Sequence, residues 1–598
     1  MFGISGPSSS SVLSADYLNA LVTQAMRYHQ RSYDLLKAQR DQLHTMRSLY
    51  TELQGLLNTL RNQAEDLAAG VTSAFGAKRA TSSNTSVVTA SATSSATLGV
   101  YEIAIATLAK AHRVRSEQQL YTNQALGLAG TFVIGGLQSR AVSSKVTVAN
   151  TVDDFGVGSA LASGQRELGS GTYYVEVRDN IGSWEFRLVD EDGTAISIAN
   201  VTNAGNFTSE WQSLSAVAGQ TYDTGRGLTI FFGSGSYTPG LRGSGAASVR
   251  YDAKGVEISV TSSSTLADIA SAINNGTYAI GNEVVATIVD RQLILTAANT
   301  GTRHRIVASD LTGTVLSGTG SSGLGILGDG GSGDVDPTDG FRFTLQQAVN
   351  TSMKVNGINI TRQARTGLTD VISGVTLNLL AEGAEAKAAL TVAADTTTVT
   401  NKITEFITQF NKVTAYLKSK SDVTQTVSGT YTRGGLAGES TLYRLRLDLL
   451  SDLNRPIPLD SETSVSVGDP TSLREIGITI DSNLHLVISD SGKLNSALTS
   501  NFHGVARLFN VLMDRLVTRL EPYTRTVGGI MDRLIQGVDG QIKDLDGSLK
   551  AMQERMQLQE AYLRRQYTAL FGQIYAASAG QSLLGGIFLS GMLFNRAI

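Results

Sequence analysis

The stretch that decides the fold reads LKAQRDQLHTMRSLYTELQGLLNTLRNQAEDL over residues 36–67. It contains no proline, and its apolar side chains recur every seven residues, which is the pattern by which the helices of a coiled coil pack together. The same character extends over residues 15–69, where Gly55 is the single glycine. We therefore predict one long N-terminal helix. Its apolar seam consists of Leu36, Leu43, Met46, Tyr50, Leu53, Leu57, Leu60, Ala64 and Leu67.

A lone helix with such a seam needs a partner that covers it. The other end of the sequence offers such a partner. There Gln559 and Gln566 interrupt the apolar rows, and Tyr567 and Ile574 continue them at a four-residue offset. This offset predicts a stutter in the supercoil. We expect the two ends of the chain to pair, although an ordinary helical hairpin without an assembly role fits the periodicity equally well. The second seam consists of Ile535, Val538, Ile542, Leu545, Leu549, Met552, Met556, Leu563 and Leu570.

The region between the two helices has the pattern of β structure. Residues 100–107, 172–178, 184–189 and 227–232 alternate apolar and polar side chains, as half-buried strands do. Residues 312–340 are rich in Gly, Ser, Thr and Asp without periodicity, and we interpret them as a loop or a connection between domains.

Composition limits the function classes. The 598 residues are enough for about four folded units. The formal net charge is −3, which gives no attraction to polyanions, so we expect no nucleic-acid partner. The chain has no cysteine, which excludes disulfides and thiolate metal sites. Its six histidines are scattered and lie in no nucleophile motif, so we predict no catalytic residue, no cofactor and no metal site.

The two termini carry no membrane signal. Residues 1–14 lack the basic start and apolar core of a secretory signal peptide. The apolar run over residues 583–594 is about half the length that a bilayer crossing needs, so we expect no membrane span. A cytosolic protein fits these observations, as does one exported without a cleaved signal.

Four motifs have both a functional and a structural interpretation. Residues 323–328 fit the spacing G-x-G-x-x-G, but no strand precedes them and no amphipathic helix follows, so we reject a dinucleotide site. For the acidic run 190–192 before Gly193 we favour a turn over a metal cluster. Trp184 and Trp211 fit a small domain core better than a sugar platform. The carboxylates Asp329, Asp334, Asp336 and Asp339 fit a solvated loop better than a calcium site.

Several segments resemble the flagellar filament cap family, flagellar hook-associated protein 2, in the family's order. The most specific match is MKVNGINITR at residues 353–362 with LTDVISGVTL at 368–377, which is similar to the family's "VNG…ITR…ITDVIPGVTL" block. Ser373 stands where the family usually has proline, and the usual Ser-Gly-Leu-Asp start is absent. Further matching segments are 101–112, 265–274 with 284–288 and 293–296, 406–411, 436–442, 473–478, 528–530 and 563–570.

The resemblance implies a function without enzymatic activity. It implies a cap at the distal tip of the bacterial flagellum that promotes folding and polymerisation of exported flagellin and prevents its loss. The implied partners are flagellin, further copies of the chain in a ring of about four to six, hook–filament junction proteins and an export chaperone. The implied location is extracellular, after export through the flagellar type III apparatus.

The resemblance also implies an α+β multidomain fold in which the N- and C-terminal helices form a coiled-coil leg and the middle forms β-rich head domains. The expected layout is a disordered segment 1–14, the N-terminal coiled-coil helix 15–70, a first leg part 71–125, a flagellin-like head domain 126–149 and 251–345, an inserted β domain 150–250, a second head part 346–400, a second leg part 401–525, the C-terminal coiled-coil helix 526–578 and an apolar tail 579–598.

Two other functions stay open at this point. A hook–filament junction protein shares terminal helices and flagellin-like modules. A surface adhesin would use the inserted domain 150–250 for cell adhesion.

Overall fold

The computed structural model describes residues 15–68, 73–328, 339–425, 429–458 and 466–594. The chain divides into two compact units, one formed by Met1–Ala77 with Asp395–Ile598 and the other by Lys78–Ala394. The first unit is mainly helical, and the second consists mainly of strands. This confirms the predicted fold class, α+β with several domains, long terminal helices and a β-rich middle.

Seven α-helices lie in the described residues. The first described residue, Ala15, already lies in α1, whereas α7 continues through residues 579–594, where we placed an apolar tail. None of these helices combines the length and the apolarity that a bilayer crossing needs. The expected segment 1–14 and residues 595–598 lie outside the described residues. The helices are α1 (Ala15–Leu67), α2 (Leu266–Asn274), α3 (Thr396–Ser421), α4 (Ser440–Asn454), α5 (Ser491–Ser500), α6 (Phe502–Thr524) and α7 (Ile530–Phe594).

The strands are described in chain order. The first half comprises β1 (Lys78–Ser82), β2 (Val88–Ala92), β3 (Gly99–Thr107), β4 (Arg113–Arg115), β5 (Gly130–Ile134), β6 (Ala141–Val146), β7 (Val152–Leu161), β8 (Gly171–Asn180), β9 (Ser183–Val189), β10 (Ile198–Ala199), β11 (Phe207–Thr208), β12 (Gln212–Ser213), β13 (Thr221–Asp223) and β14 (Arg226–Phe232). The second half comprises β15 (Ala247–Asp252), β16 (Val256–Val260), β17 (Val284–Val289), β18 (Gln292–Ala297), β19 (Ala308–Thr312), β20 (Thr344–Gln346), β21 (Thr351–Val355), β22 (Ile358–Arg362), β23 (Leu368–Ile372), β24 (Val375–Leu379), β25 (Lys387–Ala394), β26 (Val423–Gln425), β27 (Tyr431–Arg433), β28 (Ile478–Ile480) and β29 (Leu486–Ile488).

The first β domain is built from two distant parts of the chain. Its sheets have the orders β1-β25-β3-β21-β22 and β2-β24-β23, and they enclose one apolar core. Asn356 and Gly357 both have positive φ, which is the backbone that a two-residue hairpin between β21 and β22 requires. Strands β1–β3, which we assigned to the leg, therefore belong to a β domain, because their pairing partners are β21, β24 and β25.

The second β domain lies inside the first in sequence. Its sheets β16-β5-β19 and β17-β18-β4-β20 enclose a core together with the buried face of α2. Helix α2 starts with a capping box, in which the Thr265 hydroxyl accepts from the Asp268 amide at 3.1 Å and the Asp268 carboxylate accepts from the Thr265 amide at 2.9 Å. This cap fixes where the helix starts and which face it turns to the core.

The glycine-rich run after β19 is part of that second core. We interpreted residues 312–340 as a loop or connection, but Leu316, Leu324 and Ile326 are fully buried among the strands of this domain. The apolar side chains between the glycines of residues 323–328 pack into this core. Of the four carboxylates in the suggested calcium loop, Asp339 accepts hydrogen bonds from Thr344 and Gln347, and the other three lie outside the described residues.

The inserted domain has its own core and begins earlier than we expected. Its main sheet has the order β12-β9-β8-β15-β6, with β13-β14-β7 and β10-β11 as further sheets. Strand β6 belongs to this domain because it pairs with β15, so the boundary at residue 150 moves to before Ala141 and the boundary at residue 250 moves to after Asp252.

The motifs of the inserted domain are structural. The acidic run after β9 forms a turn, in which the Asp190 carboxylate accepts from the amides of Asp192 and Thr194. Trp184 packs on Tyr237 at the edge of the core, with ring centres 5.7 Å apart. Trp211 is half-buried and stacks on two arginine side chains, Arg178 and Arg187, at 4.2 and 4.5 Å.

The helical domain gathers α1 and α3–α7 around a single core. Phe406, Phe410 and Phe509 are its largest fully buried side chains after Tyr50. Burial, together with the Glu439 carboxylate beside its hydroxyl, raises the pKa of Tyr50. Burial likewise raises the pKa of Tyr416, whose hydroxyl donates to the carbonyl of Leu49 at 3.0 Å.

The capping box of α2 gives the first testable prediction. Replacing Thr265 by alanine removes the hydroxyl that satisfies the Asp268 amide, so we expect α2 to lose about 1 kcal/mol of local stability. Native-state hydrogen exchange of the amides from Ile269 to Ile273 measures this loss. Ser262→Ala, an exposed hydroxyl removed three residues earlier, is the control. Equal exchange rates in the two variants would contradict a stabilising role of the cap.

Candidate assembly surface on the terminal helices

Helices α1 and α7 pack side by side in antiparallel orientation. Arg40 forms an ion pair with Asp546 at 3.5 Å, and Arg47 forms one with Asp539. Further along, the guanidinium of Arg564 donates to the side-chain oxygen of Asn19 at 2.7 Å. Residue numbers fall on α7 as they rise on α1, so the two ends of the chain meet along a common rod.

The predicted seam of α1 has two partners rather than one. Before Tyr50 it faces α7, and from Tyr50 onward it is buried against α3 and α6 in the core of the helical domain. A stripe with the coiled-coil period therefore also serves a globular core, because a helix surrounded by several neighbours buries more than one row. Tyr50, Leu53, Leu57, Leu60, Ala64 and Leu67 are buried, and Leu36, Leu43 and Met46 are half-buried.

The predicted seam of α7 faces α1 over most of its length. Val538, Ile542 and Leu549 are buried, while Leu570 is 49% exposed. Beyond Met556 the next half-buried positions are Glu560 and Leu563, which are steps of four and three residues, and the stutter stays a prediction. The remaining half-buried members of the row are Ile535, Leu545, Met552, Met556, Leu563 and, after it, Tyr567 and Phe571.

The described part of α7 continues beyond the level of the first described residue of α1. Asn19 contacts Arg564, so the first described residue of α1, Ala15, lies near the level of Leu570. Ile574, which we placed on the continuation of the seam, is 47% exposed.

The outer face of the helix pair carries exposed apolar side chains that the sequence analysis missed. Tyr28 and Leu35 on α1 are 76% and 72% exposed, and Leu558 and Tyr562 on α7 are 71% and 53% exposed. Leu558 and Tyr562 are four residues apart and therefore neighbours on one helix face. They lie outside the seven-residue rows, so the periodicity that revealed the seam concealed them. A shallow groove next to them is lined by His29, Met552, Arg555, Met556 and Gln559.

Among the described residues no group of three or more His, Asp or Glu side chains is arranged to hold a metal ion. What the surface offers is exposed apolar side chains on two paired helices, an arrangement that suits docking of another helix.

Comparison with protein families matches both ends of the chain. The model described as "Flagellar hook-associated protein 2 N-terminus" matches residues 17–112, and the one described as "Flagellar hook-associated protein 2 C-terminus" matches residues 348–574. The matched ranges contain the paired helices, the helical domain and the first β domain. The second β domain and the inserted domain lie between them.

Relatives with curated descriptions carry the same family name. The chain is 26% identical over 348 residues to the A-type flagellar hook-associated protein 2 of Pseudomonas aeruginosa, covering 55% of this chain and 68% of the relative. It is 29% identical to the B-type protein of the same species, covering 50% and 63%, and 25% identical to the protein of Salmonella typhimurium, covering 38% and 48%. The alignments thus span about two thirds of these relatives or less.

Two solved structures are also similar. The D1-D2-D3 domains of the flagellar cap protein FliD from Escherichia coli match with a TM-score of 0.43 and 19% identity, covering 82% of this chain and 99% of that one. FliD (HAP2) from Pseudomonas aeruginosa PAO1 matches with a TM-score of 0.27 and 17% identity, covering 57% and 99%. The family's N-terminal and C-terminal models match this chain in the family's order, and together they cover just over half of the chain. The chain therefore belongs to the flagellar hook-associated protein 2 family of flagellar cap proteins.

Proposed function

We propose that this chain caps the distal tip of a flagellar filament as an oligomer and promotes the polymerisation of exported flagellin there. The observation that supports the proposal best is the exposed apolar face of the paired terminal helices, which lies in the regions matched to the family. The protein contributes a shaped surface to this process and performs no reaction on flagellin.

The helix pair supplies the attachment in this proposal. The exposed side chains are Tyr28, Leu35, Leu558 and Tyr562. A partner that covers them gains about 25 cal/mol of binding free energy for each Å² of apolar surface removed from water. A helix of the flagellin polymer laid along α7 would cover Leu558 and Tyr562 together. Since the stripe is narrow, such contacts hold the cap and still release it when the next subunit arrives.

The β domains supply the lid in this proposal. Several copies, about four to six as the family resemblance implies, would form a closed ring and enclose a space in which newly exported flagellin folds without escaping. Export through the flagellar apparatus without a cleaved signal, an export chaperone and contact with the hook–filament junction belong to the same proposal.

The outer face of α7 is tested by charge. In a bacterium that lacks its own copy of the gene, the double variant Leu558→Asp with Tyr562→Asp should abolish swimming and raise monomeric flagellin in the medium severalfold. Carboxylates on this face remove the apolar contact while leaving the seam with α1 intact. Gln557→Asp, an exposed position on the same helix turn, is the control. Normal swimming and no leakage in the double variant would contradict the attachment role.

The seam is tested separately by stability. Leu549 is 5% exposed, so Leu549→Asp places an unpaired carboxylate between α1 and α7 and should cost about 3 kcal/mol. Hydrogen exchange should then accelerate in residues 18–46 and 538–567 of the purified protein. Ser548→Asp changes the charge by the same amount at an exposed neighbour and should leave exchange unchanged. Unchanged exchange in Leu549→Asp would show that the pair does not depend on its seam.

Oligomer formation is tested on the full chain. Sedimentation velocity over a rising concentration series should show a species larger than the monomer that grows at the expense of the monomer. A strict monomer at the highest soluble concentration, with flagellin also present, would contradict the ring.

A further inference from the structure

The three β domains meet at one arginine. Arg303 lies in a short turn of the second β domain, and its side chain is 10% exposed. From there the guanidinium reaches into the inserted domain, where it donates to the carbonyl of Ser170 at 3.2 Å, to the carboxylate of Asp190 at 3.1 Å and to the hydroxyl of Tyr173 at 2.6 Å. All three partners belong to the inserted domain, at the start of β8 and the turn after β9.

The first β domain joins the same cluster through one glutamine. The side-chain oxygen of Gln363, which follows β22, accepts from the backbone amide of Arg303 at 3.1 Å. The backbone amide of Gln363 donates to the Asp192 carboxylate at 3.3 Å, and its side-chain amide lies 3.4 Å from the carboxylate of Glu191. Each of the three domains therefore contributes polar groups to one node.

Gly171 and Gly301 leave room for the side chains of this node. A Cβ on Gly171 would lie 2.5 Å from Nε of Arg303, and a Cβ on Gly301 would lie 2.2 Å from the side-chain oxygen of Gln363. The φ of Gly171 is not positive, so backbone conformation alone does not require glycine there. The passage of the guanidinium does require it.

Directional hydrogen bonds matter here because of how the inserted domain is attached. The chain enters it after β5 and leaves it before β16, two strands that are direct neighbours in one sheet. Two adjacent connections act as a hinge unless further contacts fix the angle between the two domains that they join. Apolar contact tolerates sliding, whereas a planar guanidinium bonded on several sides accepts a narrow range of orientations.

Other charged groups surround the node without replacing it. Arg166 pairs with Glu283, and Arg140 pairs with Glu167, which also accepts from Tyr251. The pair of Arg166 and Glu283 ties the inserted domain to the second β domain alone. The contacts of Glu167 lie within the base of the inserted domain. Arg303 contacts residues of both other domains.

We infer that Arg303 is the positioning residue that holds the inserted domain in a single orientation relative to the first and second β domains. The inference concerns the geometry of this β unit and does not depend on the proposed capping function. Without the guanidinium, Asp190 keeps its turn but loses its cross-domain partner, and the remaining contacts between the domains allow the inserted domain a wider range of angles.

The chain offers a clean experiment because it contains no cysteine. Spin labels on Ser183→Cys in the inserted domain and Ala384→Cys in the first β domain, both exposed positions, report their separation in the full-length protein. We expect one narrow distance distribution in the otherwise unchanged chain. Arg303→Met should at least double its width, and Gly171→Ala should broaden it in the same way by displacing the guanidinium.

Two further variants distinguish positioning from simple loss of charge. Arg305→Met removes an exposed arginine two residues away and should leave the distribution narrow. Arg303→Lys keeps the charge but replaces three separate guanidinium nitrogens by one ammonium nitrogen, which cannot hold the same three partners in the same geometry, so it should broaden the distribution as Arg303→Met does. If Arg303→Met prevents folding by circular dichroism, Gly171→Ala and Gln363→Ala decide the question. A distribution as narrow as that of the parent in the folded Arg303 and Gly171 variants would overturn the inference.

Discussion

The structure depends on the burial of one apolar stripe on α1. From Tyr50 onward the stripe is the centre of the helical domain, and before Tyr50 it is covered by α7. Because α1 and α7 are the two ends of the chain, covering this stripe brings residues separated by more than 500 positions into contact. Everything from Lys78 to Ala394 is then a large insertion between α1 and α3.

The insertion is itself nested. The first β domain encloses the second in sequence, and the second encloses the inserted domain, since β5 and β16 flank the residues that form it. Such nesting keeps each entry and exit close together, so a domain can be added without disturbing the one that carries it. The family models match the outermost layers, which are the helices and the first β domain, and the inner layers lie between the matched ranges.

Local patterns in the sequence predicted the helices and strands better than they predicted which domain each one belongs to. The long helix over residues 15–67 and the strands near residues 100–107 and 172–178 follow from periodicity alone. The assignment of β6 to the inserted domain does not, because its partner β15 is about a hundred residues away and pairing leaves no local signal. The buried run at Leu324 and Ile326 was misjudged for another reason, since its many glycines resemble those of a loop. The exposed Leu558 and Tyr562 fall outside the seven-residue rows, and the contacts of Arg303 depend on tertiary structure.

The antiparallel pairing of α1 with α7 also decides when this protein can finish folding. Helix α1 is complete at Leu67, but its partner α7 begins only at Ile530. Closing so long a loop carries an entropic cost that rises by about 0.6 kcal/mol with each doubling of its length. The β domains shorten that loop if they form first, and the two termini then close it as the final step. Until α7 is available, the part of α1 before Tyr50 has no helix to cover its apolar side chains, so this part of α1 gains its packing only after the domains between the two helices.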